Sequence, residues 1–274
     1  VSKLHPSPHP DKIQKELAFR DLWIRDFEDR LAFARDNGCN TVMLTGNGEP
    51  LMNKDFLNDF AMYNHQLSDP FRWIEIQTSG ITLDDIEILR WLRNTIRVSI
   101  ISLSLSSIFS SAKNAEYNQT SDKLVVDIDK VCGLIKKYSF GLRLSLNMTD
   151  DYDYHSAEEI FIRAKELGAD QITFRMLYTS QSEGAEHQEI NEWINTHSVN
   201  PYWAFDLNNY IKAHGRPLEK LPFGGIRYSV DGMSVVVDDD CMSTDPNQQT
   251  VKYLILQPNC KLYTKWDDLG SYLF

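Results

Sequence analysis

Cysteine is scarce in this 274-residue chain, and its four residues, Cys39, Cys132, Cys241 and Cys260, stand far apart. None falls in a CxxC or CxxxCxxC spacing, which argues against a disulfide framework and against a local thiolate metal motif. Cys132 lies in an apolar helical run and reads as a small core residue. Long hydrophobic runs are missing too: nothing approaches the roughly 20 apolar residues that span a bilayer. The start, Val1-Ser-Lys-Leu-His-Pro-Ser-Pro-His-Pro10, is polar and proline-rich, unlike a secretory signal. The expectation is a cytoplasmic protein without a membrane partner. Basic residues are outnumbered, 28 Lys and Arg against 39 Asp and Glu, for a formal net charge of −11. Nucleic acid and anionic membranes favour basic footprints, so nucleic acid is not an expected partner. Lys136-Lys137 and Arg90/Arg93 are too short to form such a footprint and read as solvated helix faces. No internal repeat or low-complexity tract stands out.

What is present is a chain 42% hydrophobic and 24% charged, enough for a substantial core in one large α/β domain, with or without an extension. Helical and strand patterns alternate. Helices are expected over 11–36, 53–66, 83–93, 121–138, 155–167, 188–195 and 202–213. Strands are expected at 41–45, 73–78, 96–103, 142–147 and 171–176. Strands alternating with helices of this length indicate βαβ units and a parallel sheet. The tail differs: 226–230 and 234–237 flank Asp231-Gly232, a hairpin turn signal, and 253–257 and 261–263 flank Pro258-Asn259. An antiparallel extension is therefore expected at the C-terminal end.

Several strands alternate apolar and polar residues. Leu142, Leu144 and Leu146 oppose Arg143, Ser145 and Asn147; Ile172, Phe174 and Met176 oppose Gln171, Thr173 and Arg175; Ile74 and Ile76 oppose Glu75 and Gln77. A parallel sheet covered on both faces is normally apolar throughout. The pattern fits a partial or full barrel with a polar interior, or a sheet with one solvated face.

One segment carries a chemical signal. Thr41-Val-Met-Leu-Thr45 runs into Gly46-Asn-Gly-Glu-Pro50. Glycines let backbone approach a ligand, and Glu49 puts a carboxylate at the C-terminal edge of the sheet, where α/β folds bind ligands. Carbonyls and a carboxylate suit an ammonium group. A phosphate would call for a Lys and a helix N-terminus instead.

Strand followed by Gly46-Asn-Gly-Glu-Pro-Leu51 resembles the Gly-Gly-Glu-Pro motif of the radical S-adenosylmethionine superfamily. Other segments are similar in order: Ile74–Gly80 to the family's third strand, Val98–Ser106 to the fourth, Leu142–Asn147 and Ile172–Arg175 to the fifth and sixth. The resemblance implies a partial (β/α)6 TIM-like barrel over 1–220, lacking its first strand, with a C-terminal antiparallel β extension over 221–274. It implies that Gly46, Asn47, Gly48 and Glu49 receive the methionine ammonium. Thr78 and Ser79 would contact the same ligand, or cap a turn. Ser104 or Ser106 would bind ribose, and Asn147 ribose or adenine. Arg143 and Arg175 would neutralise a carboxylate, or pair with an internal acid such as Glu75. The polar segment 178–187 would serve as a lid.

The family's cofactors are S-adenosylmethionine and a 4Fe–4S cluster held by CxxxCxxC, and the chain contains no such motif. Val1-Ser-Lys is similar to the residues after the family's last cluster cysteine, so the chain is expected to begin just after the cluster loop; a cluster-less relative is the alternative. His5 and His9, near that loop, read as surface residues. The activity implied is reductive cleavage to a 5′-deoxyadenosyl radical that abstracts hydrogen from a small-molecule or peptide substrate. A flavodoxin or ferredoxin would donate the electron. Two other classes fit a barrel: a binding or scaffold protein, and a non-radical lyase, for which no convincing catalytic Lys or His/Asp/Glu cluster is visible.

Overall fold

The computed structural model describes residues 24–46, 48–179, 185–221, 225–238, 253–257, 260–264 and 269–273. Its central element is one eight-stranded sheet in the order β1-β2-β3-β4-β5-β8-β7-β6. These strands are β1 Thr41–Leu44, β2 Trp73–Thr78, β3 Ile100–Leu105, β4 Gly141–Met148, β5 Gln171–Met176, β6 Arg216–Lys220, β7 Ile226–Val230 and β8 Met233–Asp238. Pairings from β1 to β5, and β5 with β8, are parallel; β8–β7 and β7–β6 are antiparallel. Between them run α1 Phe27–Asp36, α2 Lys54–Gln66, α3 Ile86–Trp91, α4 Ser111–Tyr117, α5 Ile128–Lys137, α6 Ala157–Glu166, α7 Ala185–His197 and α8 Pro201–His214. The architecture is mixed α/β, a partial TIM-like barrel. No helix among the described residues is long and apolar enough to cross a membrane.

The alternation along the strands sorts their faces. Ile76, Ile101, Leu103, Leu105, Leu142, Leu144, Leu146 and Phe174 are fully buried on the helix-facing side. They pack in one core with Phe60, Leu89, Leu92, Ile135, Ile160 and Phe161 from the helices. Each such side chain contributes roughly 1.5–3 kcal/mol by leaving water. The polar face is covered as well: Ser102 is 0%, Ser145 1% and Glu75 3% exposed. That decides between the two readings of the pattern. The second face lines an interior and is not a solvated sheet surface. At the sheet's edge β1 is less covered, with Met43 39% exposed.

The helices begin where short polar side chains can satisfy their first N–H groups. Asn53 caps α2, Asp85 caps α3, Asp127 caps α5, and Ser156 with Glu159 forms a capping box on α6. The expected helix over 83–93 is shorter and later: α3 continues as a π-turn through Leu92–Ile96, which ends at Arg97 with φ +63°. The strand expected from 96 consequently starts at Ile100. The helix expected over 121–138 is α5 alone, preceded by a 3-10 turn at Asp122–Leu124. Of the helix expected over 11–36, the described part is a 3-10 turn at Ile24–Asp26 followed by α1.

The hairpin at Asp231-Gly232 forms, with both turn residues at positive φ, 48° and 84°. It is not appended beside the sheet, however. Its second strand pairs in parallel with β5, Ile172 opposite Val235 and Phe174 opposite Val237. The apolar run Val235-Val-Val237 makes β8 fit the inside of the sheet. The unforeseen β6 covers β7 as a fully exposed edge strand, and Pro217 suits an edge. A separate small hairpin pairs β9 Ile255–Leu256 with β10 Leu262–Tyr263.

Candidate functional site

Glu49 is the hub of the C-terminal edge. One carboxylate oxygen accepts from Thr78 Oγ1 at 2.7 Å and from Leu51 N at 3.2 Å. The other accepts from Ser79 N at 2.9 Å and Ser79 Oγ at 2.6 Å. A carboxylate offers about four acceptor sites, and all are in use. The effect is a clamp between the loop after β1 and the end of β2, built of charge-assisted bonds. Gly80 closes the far side: it takes φ +88°, donates its N–H to Thr78 Oγ1 at 3.0 Å, and a Cβ there would meet Leu103 Cδ2 at 3.2 Å.

The loop thus held is exposed at Gly46 and Gly48. Gly46 is not in the left-handed region, and a Cβ on it would meet no atom of a described residue within 4 Å. Packing against the described residues therefore does not require glycine at 46, and its lack of a side chain leaves its backbone bare. Asn47 lies outside the described residues, as do His5, His9 and residues 180–184 of the segment read as a lid.

A second polar group sits at the same edge, on β3 to β5. Asn147 is level with Arg175 in the sheet register, and its Nδ2 lies 3.5 Å from Ser106 Oγ. Ser106 is fully buried. Its N–H donates to Asn114 Oδ1 at 2.8 Å, its hydroxyl to Asn118 Oδ1 at 3.2 Å, and its carbonyl accepts from Thr149 Oγ1 at 2.7 Å. Arg175 Nε is buried with no hydrogen-bond partner among the described residues. Ser104 lies one layer deeper, opposite Ser145.

Arg143 goes elsewhere. It sits four residues below Asn147, toward the start of the strands, with Nη1 donating to Glu75 Oε1 at 2.7 Å and Nε to Gln171 Oε1 at 2.8 Å. Of the two roles open to it, it takes the internal pairing. Burial pushes the Glu75 carboxyl up from its ordinary value, and the Arg143 guanidinium partly offsets this. Burial likewise lowers Arg143. This pair forms the floor of the polar interior.

Sequence reasoning missed Asn114 and Asn118, because α4 is short and polar, with no apolar stripe to announce it. It also missed the aromatic support of the edge. Tyr117 OH donates to Asp150 Oδ1 at 2.7 Å, and burial first, then this hydrogen bond, pushes the phenol well up. Its ring meets Trp193 and His197 of α7 edge-on. A bridge from Thr149 to Ser198 ties the same helix end to the end of β4.

Among the described residues no group of three His, Cys, Asp or Glu side chains could hold a metal ion. Cys132 is fully buried and its thiol is pushed up to about 12 by burial, so it is no thiolate ligand.

No protein-family model matches the sequence, and no characterised protein matches it by sequence. Among solved structures, one described as native anSMEcpe with bound AdoMet and Kp18Cys peptide is similar at a TM-score of 0.48 and 16% identity. That match covers 71% of this chain and 51% of the other, so the chain spans about half its neighbour's length. A trigonal crystal form of 2,3-dimethylmalate lyase, of the PEP mutase/isocitrate lyase superfamily, is similar at a TM-score of 0.32 and 12% identity, covering 72% of this chain and 81% of that one. At these low scores the likenesses do not extend to chemistry.

Proposed function

We propose that this chain is the S-adenosylmethionine-binding barrel of a radical-type S-adenosylmethionine enzyme, with the ligand at the C-terminal edge of the sheet. The observation that carries this reading is the Glu49 clamp, beside which Gly46 and Gly48 stand exposed after β1. Because Glu49 already accepts four hydrogen bonds, its role is positioning: it aims the loop carbonyls at the methionine ammonium. Arg175, half-buried at this edge, meets the carboxylate through its guanidinium, and Asn147 beside it meets the ribose or adenine. Thr78 and Ser79 act through Glu49, and Ser106 through Asn147. Arg143 maintains the floor. Ser104 faces the interior between floor and edge.

In the family this chain resembles, a 4Fe–4S cluster supplies the electron for reductive cleavage of the ligand. The described residues do not fit such a cluster. What these residues do is bind, orient and shield. The covered polar interior excludes bulk water from the ligand's inner side. A small-molecule or peptide substrate and a flavodoxin- or ferredoxin-type donor complete the proposal.

Calorimetric titration with S-adenosylmethionine tests it. Binding is expected in the parent chain. Glu49→Ala weakens it at least tenfold by releasing the loop, and Arg175→Ala does so by removing a charge-assisted bond of about 1.5–3 kcal/mol. Affinity indifferent to both substitutions would remove the basis for the assignment.

A further inference from the structure

At the opposite end of the sheet, ahead of β2 and β3, lies a groove of about 650 Å³. It is bounded by the second half of α2, the turn at Pro70-Phe-Arg72, and the end of the π-turn at Asn94–Arg97. Among the described residues its lining includes His65, Arg72 and Arg97, and no Asp or Glu. Neither arginine makes an ion pair with a described residue. In a chain of net charge −11, a groove with two guanidiniums and no acid or ion-pair partner among the described residues runs against the prevailing field.

The walls are fixed before any ligand arrives. Asn64 grips Phe71 from both sides, its Nδ2 donating to Phe71 O at 3.1 Å and its Oδ1 accepting from Phe71 N at 2.8 Å. Trp91 Nε1 donates to Asn58 Oδ1 at 2.9 Å, and Ser99 Oγ donates to Arg72 O at 3.2 Å. Arg97 stands at φ +63°, the position after a helix end that Gly or Asn usually fills. An arginine there is conformationally worse than glycine, yet it sets a guanidinium on the rim.

We propose that this groove binds a phosphate-bearing small molecule of nucleoside-diphosphate size, with Arg72 and Arg97 on the phosphates. The volume is in the range of ligand pockets, and planar guanidiniums match phosphate oxygens in pairs. The length of β2, about 20 Å at the usual rise, separates this site from the Glu49 loop, so the two are distinct.

Titration of the whole chain with inorganic pyrophosphate and with ADP, at low and high salt, is the test. Pyrophosphate binds and weakens with salt. ADP binding more tightly marks a nucleotide pocket, and equal binding marks a phosphate site; either supports the proposal. Arg97→Gly separates binding from folding, because glycine takes φ +63° freely. That variant melts no lower than the parent while pyrophosphate affinity falls roughly tenfold. Arg72→Ala, at an exposed position, shows the same loss. Failure of both ligands to bind, or affinities unchanged in both variants, overturns the proposal.

Discussion

Glu49 illustrates how one side chain can serve a ligand without touching it. Its two oxygens bridge a loop and a neighbouring strand through four hydrogen bonds. Glu49→Ala leaves the Thr78 hydroxyl and Ser79 N–H without an acceptor, and is expected to lower stability by about 1–3 kcal/mol in urea unfolding. Glu75 makes a different prediction. Its folded carboxyl lies above the ordinary value of 4.5 because of burial, so between the two values the folded state binds more protons than the unfolded state. Between 4.5 and the folded value, stability therefore falls as pH rises. In Glu75→Gln that slope disappears, which unfolding midpoints measured across this window will show. Glu75→Ala also strands the Arg143 charge and costs about 3–5 kcal/mol.

Among the elements, α4 holds the C-terminal edge although it contributes little core. Asn114 takes the buried N–H of Ser106, and Tyr117 braces Asp150 and α7. Asn114→Ala is expected to cost about 1–3 kcal/mol for the orphaned N–H and to weaken S-adenosylmethionine binding by loosening Asn147. The strands are legible in the sequence because Leu142, Leu144 and Leu146 state their own face at period two. The helix at Ser111–Tyr117 is not, since its value lies in side-chain hydrogen bonds to partners 8 and 33 residues away. The π-turn at Leu92–Ile96 is hidden for a related reason: its residues keep a helical apolar pattern, and only the hydrogen-bond geometry distinguishes it. The Asp231-Gly232 turn announces β8 as a hairpin strand, but its seat beside β5 is a non-local pairing that no local signal reveals.

For the whole molecule, the α/β alternation and the polar interior are visible in the residue pattern, and the structure separates that interior into two levels. Near the strand starts, Glu75, Arg143 and Gln171 bond to one another, while Ser102 Oγ and Gln77 Nε2 in register with them have no described partner. Near the strand ends, Arg175 Nε has no described partner and a Cβ at Gly46 would meet no described residue. Residue types alone could not make that division, because Arg143 and Arg175 occupy equivalent faces of adjacent strands and differ only in depth. The division predicts different behaviour for the two arginines. Arg143→Ala acts on stability, and Arg175→Ala acts on ligand affinity with stability nearly unchanged. Calorimetric titration of S-adenosylmethionine into the parent chain, Arg175→Ala and Glu49→Ala tests the central claim most directly. The account predicts saturable binding in the parent and at least a tenfold loss in each folded variant. No binding by the parent, or equal affinity in all three, would contradict it.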